Sequence, residues 1–333
     1  MTLTISRRAA LCGLAATMLP KIAFAQSASG TVVLYTPNPA QAVDSITESL
    51  RQLEPGISLS TITGGSGQLL RRIEAEEPNT QADVFWSSSE NTLGAFRQLF
   101  EPYRSEALSA IPETLHQPED LWSATITHVV VAMVNTNLLG DIPAPTKWED
   151  FFDPKWKGKV AIADPNNSST AYTILWGIEQ LMGTEALEKL ARNVVVNSSA
   201  SSVLRGVAQG EFVAGLTFEA NAYAYVAGGQ TEISLVYPEE GTFTSPEFMA
   251  LIKGAPNAEL GRKTMDAILS KETQIALLEN TFRRPSRTDI VVGDHVDLPG
   301  LDEMKIFVTD EAEAAAQREA FLGRWQGYQQ AAN

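Results

Sequence analysis

Short apolar strands alternate with helices twice along this chain, and that alternation limits the possible folds more than any composition figure. In the first set, TVVLYT (31–36) is a buried strand stopped by Pro37 and Pro39, and a helix spans about 40–52. GISLSTIT (56–63) alternates as a strand, and the next helix puts Leu69, Leu70 and Ile73 on one side. ADVFWSSS (82–89) is the third strand, and ATITHVVVAMVNTNLL (124–139) outruns its neighbours in length. The composition then resets at PAPTKWEDFFDPKWKGKVAIADP (143–165). The second set has strands at 159–164, 193–197 and 212–218, with helices at about 169–182, 185–193 and 201–209. A final helical stretch follows at 258–279. Such alternation predicts an α/β fold. Two extended crossings, near 134–136 and 248–253, join the two sets into two lobes. In open α/β sheets ligands sit beyond the carboxyl ends of the strands, so two facing lobes would line one cleft.

The N-terminus has the grammar of an export leader: Arg7 and Arg8, an apolar run over 9–19, then Ala23-Phe24-Ala25, with cleavage expected after Ala25. The run is too short to span a bilayer. Ser6-Arg7-Arg8 with Leu11 resembles the twin-arginine type, although Ala9 and Ala10 match weakly and Lys21 suits either export route. Cys12, the one cysteine, follows Leu11 rather than a small residue, which argues against a lipid anchor. The exported chain then has no cysteine for a disulfide, a thiolate metal site or a nucleophile. Removing Arg7, Arg8 and Lys21 takes the formal charge from −15 to −18. So acidic a surface speaks against nucleic acid and anionic lipid. It leaves room for an anionic ligand, because N–H groups at a helix start act locally.

Several segments carry a family likeness. PTKWEDFFDPKWKGKVAIADPNNSSTAY (145–172), GGSGQLLRRIEAE (64–76), ADVFWSSS, YPEEGT (237–242) and EFMALIKGAPNAELGRKTMDAILSKETQ (247–274) resemble periplasmic solute-binding proteins of ABC importers. The similar branch includes ferric-iron, hexose-phosphate, phosphonate and thiamine binders. The likeness covers nearly all of the exported chain, and residues 148–165 are its most specific part. It implies a two-lobed, hinge-closing type II binding-protein fold, with lobe 1 at 26–134 and 250–333 and lobe 2 at 135–249. It further implies a periplasmic monomer without cofactor, not inserted in the membrane after leader cleavage, that delivers a small ligand to an inner-membrane permease.

The glycine-serine turn at 64–67 fails as a catalytic loop. Gln68 follows Gly67 where a phosphate-binding P-loop needs Lys, and Leu70 stands where the dinucleotide pattern needs a third glycine. Gln68 also breaks the nucleophile-elbow spacing. Two compatible roles remain: Ser66 caps its own helix, or Ser66 and the N–H groups of Gly67 and Gln68 face a ligand oxygen. Comparable hydroxyls sit at other strand ends: Thr36, Ser87, the run Ser168, Ser169 and Thr170, the serines of 198–202, and Thr217. Each alone reads equally well as a cap or turn. Together they suit a phosphate, phosphonate or other oxyanion. Glu219, Tyr223 and Glu240 complete the expected ligand set, each with a second reading: a surface carboxylate for Glu219, packing within the lobe for Tyr223, and a place on the second crossing for Glu240.

Ferric iron is the competing cargo. It wants hard oxygen ligands, commonly phenolates with a carboxylate or histidine. The resemblance places adjacent tyrosines of the ferric branch where Ala220 and Asn221 stand here, while Tyr223 and Tyr225 come later. Residues two apart on a helix point about 200° apart, so those two would not share one ion there. No histidine follows the first strand. His116, His128 and His295 are read as structural and Trp122, Trp148 and Trp156 as packing. Arg283, Arg284 and Arg287 form a local positive cluster with two readings, a phosphate contact and, preferred, a solvated helix end. The last helix is expected on the first lobe through Phe321 and Trp325. A thiamine-type ligand stands further off, and an exported phosphatase or hydrolase further still. That last option lacks a nucleophile–base pair, a metal cluster or a paired-acid motif, so no catalysis is expected.

Overall fold

The computed structural model describes residues 29–332, so the expected leader, its cleavage point, Cys12 and Gln26 lie outside the described residues. The first half runs β1 (Gly30–Thr36), α1 (Ala40–Leu53), β2 (Ile57–Thr63), α2 (Ser66–Glu76), β3 (Val84–Ser88), α3 (Glu90–Gly94), β4 (Phe100–Glu101) and β5 (Ser123–Asn135). Next come β6 (Val160–Ala163), α4 (Ser169–Met182), α5 (Thr184–Asn193), β7 (Val194–Asn197), α6 (Ala200–Ala208), β8 (Ala214–Phe218) and α7 (Glu219–Ala227). The chain closes with β9 (Ile233–Val236), β10 (Thr242–Ile252), α8 (Ala258–Leu269), α9 (Lys271–Thr281), β11 (Arg284–Pro285), β12 (Ile306–Phe307), α10 (Glu311–Ala316) and α11 (Arg318–Ala332).

The strands form one curled sheet in the order β2-β1-β3-β10-β5-β8-β6-β7, with parallel pairs at both ends and antiparallel pairs in the middle. A twisted sheet this long has two separate concavities to fill, and two cores fill them. The first is built from residues of 32–124 and 248–277, and the second from 129–243 together with Ala314, Phe321 and Trp325. Trp148 and Trp156 pack inside the second core, and Trp122 meets Phe100 edge-on in the first, as their sequence context predicts.

β5 is buried along its whole length because it belongs to both sheet halves. It pairs with β10 as far as Val129↔Thr244 and with β8 from Val130↔Phe218 onward. The sheet therefore changes hands between Val129 and Val130, not near 134–136, since the composition reset marks only the end of the strand. β10 crosses in the same zone: Thr242 and Phe243 pair with β12, while Phe248–Leu251 pair with β3. A β-bulge between Glu247 and Phe248 separates these registers. Bulges re-aim a side chain, and here that side chain is Glu247.

The helical stretch expected at 258–279 is helical and divides into α8 and α9, because Ser270 leaves helical geometry and its hydroxyl caps α9 by accepting from Thr273 N. A further expectation needs correcting. The last helix lies on the second core, not the first. Phe321 is fully buried between Tyr172 and Trp176 of α4, with ring centroids 5.3 and 5.7 Å away. Arg318 lies 4.3 Å over the Tyr172 ring, and Gln329 donates to Ala191 O of α5 at 2.8 Å. The apolar stripe of this helix was legible, but α4 offers aromatic partners that the stripe alone does not reveal.

Candidate functional site

Register alone brings the strand ends together. Thr36↔Thr63 aligns β1 with β2, and Leu34↔Val84 aligns β1 with β3, so their carboxyl ends share one edge. In the other half Ala163↔Asn197 and Ala161↔Gly215 align β6 with β7 and β8. The two edges meet where β5 and β10 cross.

A chain of side chains spans that meeting point. The His128 ring stacks on Phe218, the last residue of β8, with centroids 4.4 Å apart and planes 2° apart. Its Nε2 lies 2.9 Å from Glu247 Oε1 on β10. The other Glu247 oxygen accepts from Ser87 Oγ at the end of β3. Arg283 Nη1 stands 3.7 Å from the same oxygen and donates to Asn38 Oδ1 just beyond β1. Ser87 adopts φ +85°, a strained conformation for a residue with a Cβ. Burial works to raise the Glu247 pKa, but His128, Arg283 and the Ser87 hydroxyl outweigh it and hold the carboxyl at about 2.

A second network lies one residue along. Arg284 donates from Nε and Nη2 to both oxygens of Glu219, at 2.6 and 2.7 Å, and both side chains are 1% exposed. Tyr237 OH also donates to Glu219, at 2.6 Å, and burial with the Glu219 charge pushes that phenol up. Arg284 is thus a buried tie between β11 and α7, not part of a solvated helix end. Arg287 pairs with Asp289 and donates to Leu269 O, the last carbonyl of α8.

The expected ligand residues divide. Ser66 opens α2, but Gly65 holds the capping position, so the Ser66 hydroxyl has no capping duty. Half-buried, it takes no side-chain partner among the described residues, and Gly67 beside it is also half-buried. Ser168 caps α4 by accepting from Ala171 N, with Ser169 exposed and Thr170 half-buried behind it. Ser87 joins the Glu247 network. Thr36 is fully buried and engaged at home, donating to Trp86 O at 2.7 Å and accepting from Asn38 N. Glu219 is held by Arg284, and Tyr223 rests edge-on against Phe282 at 4.9 Å. Glu240 accepts from the N–H groups of Trp148 and Glu149, which fixes the turn at 149–152. Thr217 is buried with its hydroxyl unpartnered.

Of the candidate residues here, Asn38, His128 and Glu247 drew no ligand reading from the sequence, while Arg283 did, within the positive cluster. The available signal was a polar side chain inside an apolar strand, His128 in TITHVVV and Glu247 in SPEFMALI. His116 accepts its structural role, with Nε2 3.0 Å from Leu108 O and from Ile111 O, and His295 sits beside Glu279.

Some buried polar atoms have no protein partner among the described residues, at this edge and elsewhere. Asn38 Nδ2, Asn197 Nδ2, Thr217 Oγ1 and Arg284 Nη1 are all in this condition, and all lie at or beside the strand ends of the two halves. Residues 79–314 match the model of the bacterial extracellular solute-binding proteins. The chain belongs to that family. It is 25% identical over 296 residues to a putative 2-aminoethylphosphonate-binding periplasmic protein of Salmonella typhi, covering 81% of this chain and 82% of that one. It is 26% identical over 258 residues to iron uptake protein A1 of Synechocystis, covering 70% and 69%. The periplasmic binding protein AfuA of Actinobacillus pleuropneumoniae, solved with fructose 6-phosphate, superposes with a TM-score of 0.78 at 27% identity, over 91% of this chain and 99% of AfuA. The fold is that of the type II binding proteins, and the chain is the periplasmic solute-binding component of an ABC importer. Such a component takes a small ligand and passes it to a permease. No helix among the described residues is long and apolar enough to cross a membrane.

Proposed function

We propose that this protein captures a small phosphorylated or phosphonate solute between the strand ends of its two halves, as an exported monomer without catalysis. The observation that carries this reading is the set of unpartnered buried polar groups at those ends: Asn38 Nδ2, Asn197 Nδ2, Thr217 Oγ1 and Arg284 Nη1. Three are nitrogen donors and the fourth is a hydroxyl, which suits an acceptor-rich ligand better than a cation. Ser66 and Gly67 at the start of α2, and Ser169 and Thr170 at the start of α4, extend the set from either side. The two bodies that close on the ligand are the one holding the first core and the one holding the second, with α10 and α11 moving with the second.

Relatives named for iron uptake and for phosphonate binding both exist, so the cargo must be decided on residues. Iron would need several anionic oxygens converging on one point. Among the described residues no three His, Cys, Asp or Glu side chains are so grouped, and Tyr223 is turned onto Phe282. The test is calorimetric titration of 2-aminoethylphosphonate and fructose 6-phosphate into the protein and into Asn38→Ala and the Ser66→Ala/Thr170→Ala pair. Loss of more than about 1 kcal/mol of binding in the folded variants supports the anion cradle. Unchanged affinity in both removes it.

A further inference from the structure

The run EAEAAA of α10 (311–316) leaves a hollow in the surface. Ala312, Ala315 and Ala316, spaced i, i+3, i+4, share one helix face. Ala314 points the other way, into the second core, and its carbonyl accepts from Tyr172 OH. Across from the three alanines stands the first half: α3, whose Leu93 lies in the first core, and the Trp122 ring. The methyl groups are too short to fill the space between, and a cavity of about 660 Å³ remains. That is the size of a small-molecule site. Its walls include none of the strand-end side chains described above. Glu90 opens α3 on one side and Glu311 opens α10 on the other, so each half brings one carboxylate to the same cavity.

We propose that this cavity is a second ligand site, for a small alkylammonium compound of the amino-alcohol kind. Two carboxylates supply the countercharge, a tryptophan face attracts a cation through its quadrupole, and the alanine methyls suit an alkyl body. The alcohol follows from Trp122. Its side chain is only 4% exposed, its Nε1–H has no acceptor among the described residues, and the ring forms part of the cavity wall. A buried donor of that kind calls for an acceptor. An anion is disfavoured, because Arg97, the cation of the lining, already pairs with Glu119 at 2.7 Å. A bound metal ion is disfavoured as well, since no three His, Cys, Asp or Glu side chains group suitably among the described residues. Burial, and then the charges of Glu90 and Asp310, hold the Glu311 carboxyl above its ordinary range, a crowding that a cation relieves. Asp310 itself caps α10, accepting from Glu313 N. The formal charge of −15 over the whole chain draws cations toward the surface.

Choline and its uncharged carbon isostere, dimethylbutanol, are the probes, titrated near neutral pH with calorimetry and with NMR of the indole N–H groups. Trp122→Phe assigns the relevant indole resonance. Choline should saturate, shift the Trp122 N–H, and bind at least about tenfold more tightly than dimethylbutanol. The pair Glu90→Gln/Glu311→Gln should weaken choline by about tenfold or more and leave dimethylbutanol unchanged. Ala315→Leu, at an exposed position of α10, fills the cavity with both carboxylates in place and should abolish binding of both probes. Choline that binds no better than dimethylbutanol overturns the proposal. So does choline that fails to saturate, or that leaves the Trp122 N–H unmoved, or whose affinity survives both sets of substitutions in folded protein.

Discussion

Glu247 and Ser87 lie 160 residues apart in the sequence, yet the Ser87 hydroxyl donates to the Glu247 carboxylate across the junction of the sheet halves. The bulge beside Glu247 and the left-handed conformation of Ser87 both serve this contact. It ties the end of a first-half strand to the strand that crosses between the halves. On the proposed function, a ligand at this edge would touch that junction as well as both halves, which would couple binding to closure.

Acid should unfold the protein in a window set by Glu247. Its folded pKa, about 2, is depressed below the ordinary 4.5. The stabilisation is therefore fully present above about pH 4.5 and is lost as pH falls toward 2. On the scale of linkage it amounts to about 1–3 kcal/mol. Urea midpoints between pH 6 and 3 should fall in the wild type, and fall less in Glu247→Gln. Parallel slopes for the two proteins would show that Glu247 does not set the window.

Removing one partner of the Arg284–Glu219 pair leaves a charge buried at 1% exposure. Arg284→Met and Glu219→Ala should each cost about 3–5 kcal/mol in chemical denaturation. A loss below about 1 kcal/mol would mean that water reaches the pair.

Gly177 in α4 offers a test of packing whose sign is informative. Alanine ordinarily stabilises a helix interior relative to glycine. A Cβ here would stand 2.5 Å from Phe243 Cγ, inside the second core. Gly177→Ala should therefore destabilise by about 1–3 kcal/mol, and a raised melting temperature would contradict the packing described.

Phe321 anchors the last helix to α4 with no exposed surface. Phe321→Ala should cost about 3–5 kcal/mol. Trp176 fluorescence should report the loss, since that ring is the neighbour vacated.

The sequence was most informative where one periodicity decides. The strand–helix alternation predicts the mixed α/β fold, and the predicted span 169–182 is α4 to the residue. It misled where an outcome depends on partners remote in the chain. The stripe of α11 does not say which aromatic surface will receive it. The hydroxyl-rich starts of α2 and α4 follow the ends of β2 and β6, one in each half. Glu219 and Glu240 looked free because Arg284, Trp148 and Glu149, their partners, come from other elements. His128 read as structural and Glu247 drew no reading for the converse reason: each is one polar residue in an apolar strand, and only the crossing brings them together.

The most direct test of the central claim is a melting-temperature screen of the metal-stripped protein against 2-aminoethylphosphonate, hexose phosphates, inorganic phosphate, thiamine and its phosphates, and ferric iron with and without citrate. A saturable rise with a phosphoryl or phosphonate solute, lost in Asn38→Ala, is the predicted result. A rise with ferric iron alone, accompanied by visible phenolate absorption, would contradict the account.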